Sequence, residues 1–170
     1  MIDIRNAAAA DAEVIRNIYA PYITDTCVTF ETEVPAMEEF AARIESISRA
    51  YPYLVGVTDG KVVGYAYASR HRARAAYQYS ADVSIYVAPG YHRRGIGRAL
   101  YSKLFELLRE RGIYTVYAGI TLPNEESAGL HNAFGFRQVG VFRNVGYKFG
   151  RWLDVMWMEK PLREYDEPVK

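Results

Sequence analysis

The segment SIYVAPGYHRRGIGRAL joins a β-rich run to a helical run through a turn that contains two nearby glycines. At such a junction several backbone N–H groups and the positive end of the helix dipole point at one spot, which suits a phosphate group. Gly95 and Gly97 allow the backbone to approach a ligand closely, while Arg93, Arg94 and Arg98 supply positive charge. The segment therefore predicts a phosphate-binding loop, although a glycine-rich turn with solvated arginines is the simpler interpretation of the same residues.

Two familiar phosphate loops do not fit this segment. A P-loop needs Gly-Lys-Ser/Thr after a longer loop, and the dinucleotide-binding fingerprint needs a small residue where Leu100 stands. The loop must therefore hold its phosphate in a different way.

The cysteine and histidine content argues against a structural metal site. Cys27 is the only cysteine, which excludes an intrachain disulfide, and His71, His92 and His131 are scattered along the chain without a zinc-ligand spacing. Cys27 has no histidine nearby in sequence, so a small buried or half-buried thiol is favoured over an acyl-carrying nucleophile.

The charge balance excludes a broad electrostatic role. Lys and Arg total 21 against 20 Asp and Glu, and a net charge of +1 provides no global field for nucleic acid or an anionic membrane. A local cationic run around Arg70, His71, Arg72 and Arg74 lacks the wider basic face that nucleic-acid binding needs, and it is equally consistent with a solvated loop.

The length of 170 residues fits one domain, and 50% hydrophobic with 24% charged residues is typical of a soluble globular chain. We expect this domain to span residues 1–163, with a loose tail over 164–170. The N-terminus lacks a basic start before a long apolar stretch, and no stretch approaches the roughly 18 apolar residues of a membrane span. We therefore expect a cytoplasmic protein.

Periodicity and turn residues predict the elements that must position the loop. The Asp59-Gly60 turn is a strong hairpin signal, and Leu100 and Leu104 with Leu107 or Leu108 give the helix after the loop a buried stripe. The predicted elements are a strand at Ile2–Arg5, a helix to about Tyr19 with Pro21 beyond its end, a helix opened by Val34 and Pro35, strands at Tyr53–Thr58, Lys61–Ser69 and Tyr79–Val87, a helix ending at Gly112, a strand at Thr115–Ile120, a helix from Pro123 and Asn124 through Phe134, and strands at Phe136–Val145 and Arg151–Met158. The segment TDTCVTFETE between the first two helices is interpreted as a loop or irregular strand. The predicted class is mixed α/β (α+β) around one mostly antiparallel sheet.

The glycine loop resembles the Q/R-x-x-G-x-G/A loop of the GNAT superfamily of N-acetyltransferases, which holds the pyrophosphate of acetyl-coenzyme A; here His92 stands at the Gln/Arg position. That superfamily also has a later strand, a turn with Asn and a helix ending in an aromatic Gly-Phe, and ITLPNEESAGLHNAFGF supplies these in the same order. Within the superfamily, the chain resembles the phosphinothricin and methionine sulfone (methionine sulfoximine) N-acetyltransferases. The matching segments are TFETE around Phe30, Ala73 to Val87, LPN with His131, and Gly146 to Val155.

The resemblance implies acetyl-coenzyme A as co-substrate and assigns a set of residues to it. The strand before the loop would bind the pantetheine arm through its backbone, and an N–H near Val87 would polarise the thioester carbonyl. Asn124 would contact the cofactor, although a helix N-cap is the simpler interpretation and both roles can coexist. The expected cofactor-binding residues are Ile85, Tyr86, Val87, Arg93, Arg94, Gly95, Ile96, Gly97, Arg98 and Asn124.

The chemistry of amine acetylation needs proton transfers, for which the resemblance indicates two residues. An α-amine is largely protonated at neutral pH, so a base should help, and Asp82 stands where family members often carry Glu. Its shorter side chain favours action through one water, and a turn cap or arginine partner is the structural alternative. His131 stands where many members have the tyrosine that protonates the leaving thiolate; a histidine satisfying a core hydrogen bond is the alternative.

The resemblance gives the cationic run a sharper role in binding an amino-acid substrate. Arg72 and Arg74, with Tyr77, would hold its acidic ends, because a guanidinium donates two hydrogen bonds to a carboxylate or phosphinate. Phe30 would close the other side of the pocket. The expected substrate-binding residues are Phe30, Arg72, Ala73, Arg74, Tyr77, Asp82, Val83 and Ser84.

The function expected from these features is acetylation of the α-amine of a small amino acid by direct attack in a ternary complex. Two alternatives remain at this stage: acetylation of a protein N-terminus or ribosomal protein, and a non-catalytic acetyl-coenzyme A sensor. The resemblance further implies a homodimer. The charge balance and the lack of a long apolar stretch predict no nucleic-acid or membrane partner.

Overall fold

The computed structural model describes residues 1–168, which form one seven-stranded sheet flanked by four α-helices. The mixed α/β class and the predicted element order are confirmed. The strands are β1 (Asp3–Asn6), β2 (Tyr53–Thr58), β3 (Lys61–Arg70), β4 (Ser80–Val87), β5 (Thr115–Leu122), β6 (Arg137–Lys148) and β7 (Arg151–Pro161). The helices are α1 (Ala12–Thr24), α2 (Met37–Ala50), α3 (Ile96–Glu110) and α4 (Glu125–Ala133), with 3-10 turns at Ala9–Asp11 and Ala75–Tyr77.

The sheet divides in its middle. Its strand order is β1-β2-β3-β4-β5-β7-β6, and neighbours are antiparallel except β4 and β5, which run parallel. These two strands pair from Ser80 with Thr115 to Asp82 with Tyr117. Beyond that point β4 continues to Val87 and β5 to Leu122 as they diverge. A gap therefore opens between them, and Asp82 lies at its closed end.

Helices cover both faces of the sheet with separate cores. The predicted stripe of α3 is confirmed, since Leu100, Leu104 and Leu108 are fully buried on one face. Phe40 and Ile44 of α2 are buried with α1 in the second core on the opposite face. The two cores hold β4 between them, so the strand that leads into the glycine loop is fixed from both sides.

Two predicted helix limits are wrong, and each of them had been placed at or next to a proline. Helix α1 does not end at Tyr19; it runs through Pro21 to Thr24. A proline inside a helix costs roughly 3 kcal/mol, but the extra turn fully buries Ile23, which contributes roughly 1.5 to 3 kcal/mol in return. The second helix begins at Met37, two residues after the predicted Pro35 start.

The hairpins follow their turn residues. The predicted β2–β3 hairpin is confirmed, with Asp59 and Gly60 in the left-handed region at φ 51° and 75°. The prediction that β6 ends at Val145 is wrong, because the strand continues to Lys148. The Asn144 region is a bulge within the strand, with φ 50° at Asn144 and a register shift between Phe142 and Gly146.

The remaining segments form neither helices nor strands. The stretch from Asp25 to Ala36 is a loop, as one of its two interpretations predicted. Of the predicted tail, residues 169 and 170 lie outside the described residues, whereas Tyr165 hydrogen-bonds the Thr115 hydroxyl at 2.8 Å. Among residues 1–168 every helix is too short or too polar to cross a membrane.

Candidate active site

The glycine loop presents unpaired backbone donors at the start of α3. Gly95 is the N-cap residue and adopts the left-handed conformation at φ 82°, as does Arg93 at φ 59°. The first hydrogen bond of the helix runs from Ala99 N–H to Gly95 C=O at 3.0 Å. The N–H groups of the first turn therefore lack intrahelical partners, and no side chain within residues 1–168 caps them. This end of the helix is arranged to bind an anion.

A cavity of about 510 Å³ opens directly in front of these donors. Its walls come from the end of β4, the glycine loop and the start of α4, with Tyr22 and Val28 on the remaining side. The predicted cofactor-binding residues that line it are Ile85, Val87, Arg93, Gly95, Ile96, Gly97, Arg98 and Asn124. Tyr86 does not line this cavity, and neither does Arg94, whose guanidinium lies 5.2 Å from the Tyr91 ring centre.

Asn124 and His92 each have a structural partner as well as a place in the cavity wall. The Asn124 side chain accepts a hydrogen bond from Ser127 N–H at 3.0 Å and so caps α4. His92 donates from Nε2 to the Val87 carbonyl at 3.0 Å, and that carbonyl also accepts from the Tyr22 hydroxyl at 2.6 Å. The histidine at the Gln/Arg position of the loop is therefore anchored to the end of β4.

A smaller cavity of about 50 Å³ lies in the gap between the diverging strands. It is lined by Val83 and Ser84 of β4, by β5 from Ala118 to Thr121, and by the side chains of Tyr101 and His131. Both cavities share Ile85 and Asn124 as lining residues, so the path from the loop continues into the gap.

His131 is only 3% exposed, and both of its ring nitrogens are engaged. Nδ1–H donates to the Ser127 carbonyl at 2.7 Å, and Nε2 therefore accepts from the Tyr101 hydroxyl at 2.9 Å. Burial lowers the pKa of His131, so the imidazole is neutral at neutral pH.

Asp82 has a partner that the sequence did not indicate. Its Oδ1 lies 2.6 Å from Nδ1 of His71, which follows directly after β3. Burial raises the pKa of the Asp82 carboxyl, opposed by the hydrogen bond from His71 and by the positive charge of Arg72. A half-buried carboxyl at the closed end of the gap thus has an imidazole and a guanidinium nearby.

The expected substrate residues occupy two places. Arg72, Ala73, Arg74 and Tyr77 lie together on the exposed loop between β3 and β4, next to Asp82. Phe30 instead packs against β6, where its ring occupies the space that a side chain on Gly146 would take. The structure therefore brings Arg72 of the arginine loop near Asp82, whereas Phe30 contacts the β6–β7 hairpin at Gly146.

The polar residues of these cavities and contacts that were not predicted as site residues include Tyr22, His71, Tyr101 and Glu126. Tyr101 follows the buried Leu100 in the amphipathic helix, so its pattern indicates core. His71 appeared within a run of arginines, where it indicated a solvated loop. A histidine close to a buried carboxylate is recognisable only after the strands are assembled.

The chain belongs to the GNAT acetyltransferases, since the model of the "Acetyltransferase (GNAT) domain" family matches residues 4–157. It is accordingly an N-acetyltransferase that uses acetyl-coenzyme A as co-substrate. The fit is visible in the site, because the unpaired N–H groups of α3 and the arginines of the loop match a pyrophosphate, and the cavity continues into the gap beside β4.

Individual relatives indicate which kinds of N-acetyltransferase this chain is similar to. The phosphinothricin N-acetyltransferase of Streptomyces coelicolor is 42% identical over 95% of this chain and 96% of its own length. The L-methionine sulfoximine/L-methionine sulfone acetyltransferase of Salmonella typhimurium is 34% identical over 97% of both chains. A phosphinothricin acetyltransferase from Sinorhizobium meliloti, solved in complex with acetyl-coenzyme A, superposes with a TM-score of 0.95 at 37% identity, covering 99% of this chain and 94% of that one.

Proposed function

We propose that this enzyme acetylates the α-amine of a small amino acid or analogue, such as phosphinothricin, methionine sulfoximine or methionine sulfone, by direct attack in a ternary complex. The observation that carries the proposal is the position of Asp82 at the closed end of the gap, with Arg72 near enough to lower the pKa of its carboxyl. A proton acceptor and a carboxylate-binding cation thus lie side by side, as an α-amino acid requires. The names of the relatives at 34% and 42% identity support the same substrate class.

The loop would hold the cofactor through its phosphates. We assign the pyrophosphate to the N–H groups of Ile96, Gly97 and Arg98 and to the positive charges of Arg93 and Arg98, which line the cavity. Backbone donors at a helix start bind phosphate without reorganisation, which favours a tightly held ligand.

The end of β4 would hold the extended arm of the cofactor. A strand directs its N–H and C=O groups alternately to its two sides, so those that do not face β3 face the gap from Ile85 through Tyr86 to Val87. When bound, acetyl-coenzyme A supplies a thioester whose carbonyl carbon accepts the amine. An N–H near Val87 is assigned to polarise that carbonyl, and Asn124 to support the arm while it caps α4.

The loop between β3 and β4 would hold the amino acid. Arg72 and Arg74 are assigned to the acidic ends of the substrate, and the Tyr77 hydroxyl to a further polar contact. Ala73, Val83 and Ser84 are assigned to the walls near Asp82. Phe30 is assigned to the far wall, where it is held by its contact with Gly146.

The two proton transfers are assigned to opposite sides of the gap. Asp82 is assigned to removal of the proton from the substrate ammonium, because it lies on the loop side. His131 is assigned to the proton that the departing thiolate takes up, acting together with Tyr101, because both side chains line the inner cavity. Two acid–base groups on opposite sides of the reacting atoms allow one to accept while the other donates.

The exposed apolar side chains on β6 and β7 support the expected homodimer. Phe142, Tyr147 and Trp152 are at least half exposed on these strands, and β6 is an edge strand of the sheet. We assign this hairpin to the contact with a second copy, which would cover the aromatic face. Sedimentation velocity should show a dimer for the wild type and a monomer for Trp152→Arg, and a wild-type monomer would contradict the assignment.

A turnover screen tests the proposed function. Release of coenzyme A is measured with a panel of amino acids, including phosphinothricin, methionine sulfoximine and methionine sulfone, and with peptides that carry free N-termini. Turnover of at least one of the three analogues in preference to every peptide is expected. Peptide acetylation without amino-acid acetylation would overturn the substrate class, and tight acetyl-coenzyme A binding without any turnover would favour a sensor.

A further inference from the structure

His71 is held beside Asp82 by contacts from two sides. Its Nδ1 lies 2.6 Å from Asp82 Oδ1, and its ring stacks on Tyr117 of β5 with centres 4.5 Å apart and planes 20° from parallel. The Tyr77 ring meets it edge-on at 5.8 Å. The His71 side chain keeps 12% of its surface exposed. The imidazole is therefore held in one orientation while part of its surface remains accessible to solvent.

The hydrogen bond to Asp82 fixes where the neutral ring carries its lone pair. An ionised carboxylate only accepts hydrogen bonds, so Nδ1–H of His71 is the donor. The neutral imidazole then has its basic lone pair on Nε2. A carboxylate that holds an imidazole in this tautomer and stabilises the imidazolium is a known way to strengthen histidine as a base.

We propose that His71 is the base that deprotonates the substrate ammonium, and that Asp82 is a positioning residue that acts through it. This inference rests on the proposed function and revises its first proton transfer, because His71 takes the proton that was assigned there to Asp82. The aspartate side chain is short, and its Oδ1 is already engaged by Nδ1. The imidazole extends the reach of this carboxylate toward the substrate by the width of a ring.

The proton balance of the step is complete. The ammonium gives one proton to Nε2 of His71, which becomes an imidazolium hydrogen-bonded to Asp82, and the freed lone pair of the amine forms the C–N bond. The C–S bond breaks with its electron pair on sulfur, and the thiolate takes up a proton from the Tyr101–His131 pair. The second proton of the nitrogen restores that pair. His71 then returns its proton to solvent, so one amide, one thiol and one released proton result.

The charged and titratable groups around the pair come from four segments. Arg72 lies on the same loop, Tyr77 on the 3-10 turn, and Tyr117 on β5 with Glu159 of β7 opposite it in register. Burial raises the pKa of Tyr117, with a smaller contribution from the charge of Glu159, so its hydroxyl remains neutral where the enzyme works. Asp82 is thus the anion that hydrogen-bonds directly to the imidazole.

Two variants of His71 distinguish a residue that accepts the proton from one that only orients Asp82 or only packs. His71→Asn keeps a donor nitrogen where Nδ1 lies but has no titrating group, whereas His71→Phe keeps the stacking ring but has neither. If His71 is the base, both variants should lower kcat/KM for methionine sulfone or phosphinothricin by about 100-fold at neutral pH, with a smaller loss at high pH where free amine is abundant. Activity retained by Asn alone would show that His71 only orients Asp82. Activity retained by Phe would show that it only packs, and either result overturns the proposal.

A readout independent of turnover tests the pair itself. Long-range proton–nitrogen NMR of the ¹⁵N-labelled protein follows the ring nitrogens of each histidine with pH, and His71→Asn assigns the signals. The Nδ1–H tautomer is expected for His71, and Asp82→Asn should shift the ring toward the Nε2–H tautomer because the carboxylate that accepts the Nδ1 proton is replaced by a weaker acceptor. A tautomer unchanged by Asp82→Asn overturns the pair even if the enzyme turns over. A coupled pair in a protein that acetylates no amino acid would instead reject the proposed function.

Discussion

The Tyr101 hydroxyl lies 2.9 Å from Nε2 of His131, and the direction of this hydrogen bond limits what the histidine can donate. The Ser127 carbonyl holds the Nδ1 proton at 2.7 Å, so the neutral ring accepts from Tyr101 at its other nitrogen. The hydroxyl proton of Tyr101 is then the one that can move without breaking the bond to Ser127. The leaving-group role assigned to His131 is therefore a role of the pair.

Replacing Tyr101 by Phe should lower kcat by about 100-fold, because the hydroxyl proton is lost while the buried ring is kept. The dissociation constant for acetyl-coenzyme A should change little, which calorimetry can measure. Tyr165→Phe removes a hydroxyl from an exposed residue outside the site and serves as the matched control. Unchanged kcat in Tyr101→Phe would contradict the role of the pair, and so would a loss confined to cofactor affinity.

Replacing Gly97 by Val should raise the dissociation constant for acetyl-coenzyme A by about tenfold or more, because the added methyl groups obstruct the close approach to the loop N–H groups. A single Cβ at Gly97 would meet Leu130 at 3.4 Å, which is an ordinary contact, so the fold should persist. Gly140→Val lies on β6, where a Cβ meets open space, and should leave the affinity unchanged. Equal affinities for acetyl-coenzyme A in both folded variants would contradict the assignment of the pyrophosphate to the loop.

Replacing Arg74 by Ala should lower kcat/KM toward methionine sulfone or phosphinothricin by about 10- to 150-fold, chiefly through KM, because a charge-assisted contact to the substrate is lost. Acetyl-coenzyme A affinity should barely change. Arg49→Ala, on the exposed face of α2, controls for the loss of one surface charge.

A substrate whose carboxylate is blocked as an amide identifies the partner of Arg74. The block should weaken the wild type but add little to the loss in Arg74→Ala, since both changes remove one interaction. Losses that multiply would assign the carboxylate to another arginine.

Replacing Asp11 by Asn should lower the free energy of unfolding by roughly 1 to 2 kcal/mol at pH 7. The Asp11 carboxylate accepts two hydrogen bonds from Arg5, at 2.7 and 2.8 Å, and one from Ala8 N–H at 2.7 Å. The hydrogen bonds from Arg5 lower the pKa of Asp11. Its stabilising effect is therefore complete above the unfolded pKa of about 3.9 and is lost as pH falls through the lower folded value.

Urea unfolding at a series of pH values measures this effect. The difference between wild type and Asp11→Asn should be constant from pH 6 to 8 and should shrink in acid. Asp59→Asn, in a turn that suits either residue, is the control and should stay within a few tenths of a kcal/mol. A difference that persists undiminished into acid would exclude the charged pair as its source.

The sequence predicted which helices and strands form better than it predicted where they end. It indicated the glycine loop before α3, but it did not indicate the pairing of His71 with Asp82. The Asp59-Gly60 hairpin and the leucine stripe of α3 depend on local chemistry, so a local pattern was sufficient. The continuation of α1 through Pro21 depends on burial of Ile23 by the assembled core, which no local pattern contains. The partnership of His71 with Asp82 has the same character, because it joins a residue just after β3 to one on β4, and their spacing in sequence carries no signal.

The parallel pairing between Ser80–Asp82 and Thr115–Tyr117 makes the sheet two half-sheets, of four and three strands, joined by a short seam. Amide protons beyond the seam that face the gap are not held by a neighbouring strand, so they exchange with solvent without the sheet unfolding. A cofactor arm lying in the gap, as proposed, would supply the missing hydrogen-bond partners along β4. The sheet would then become continuous across the gap on binding, and slowed amide exchange along β4 and β5 would report occupancy.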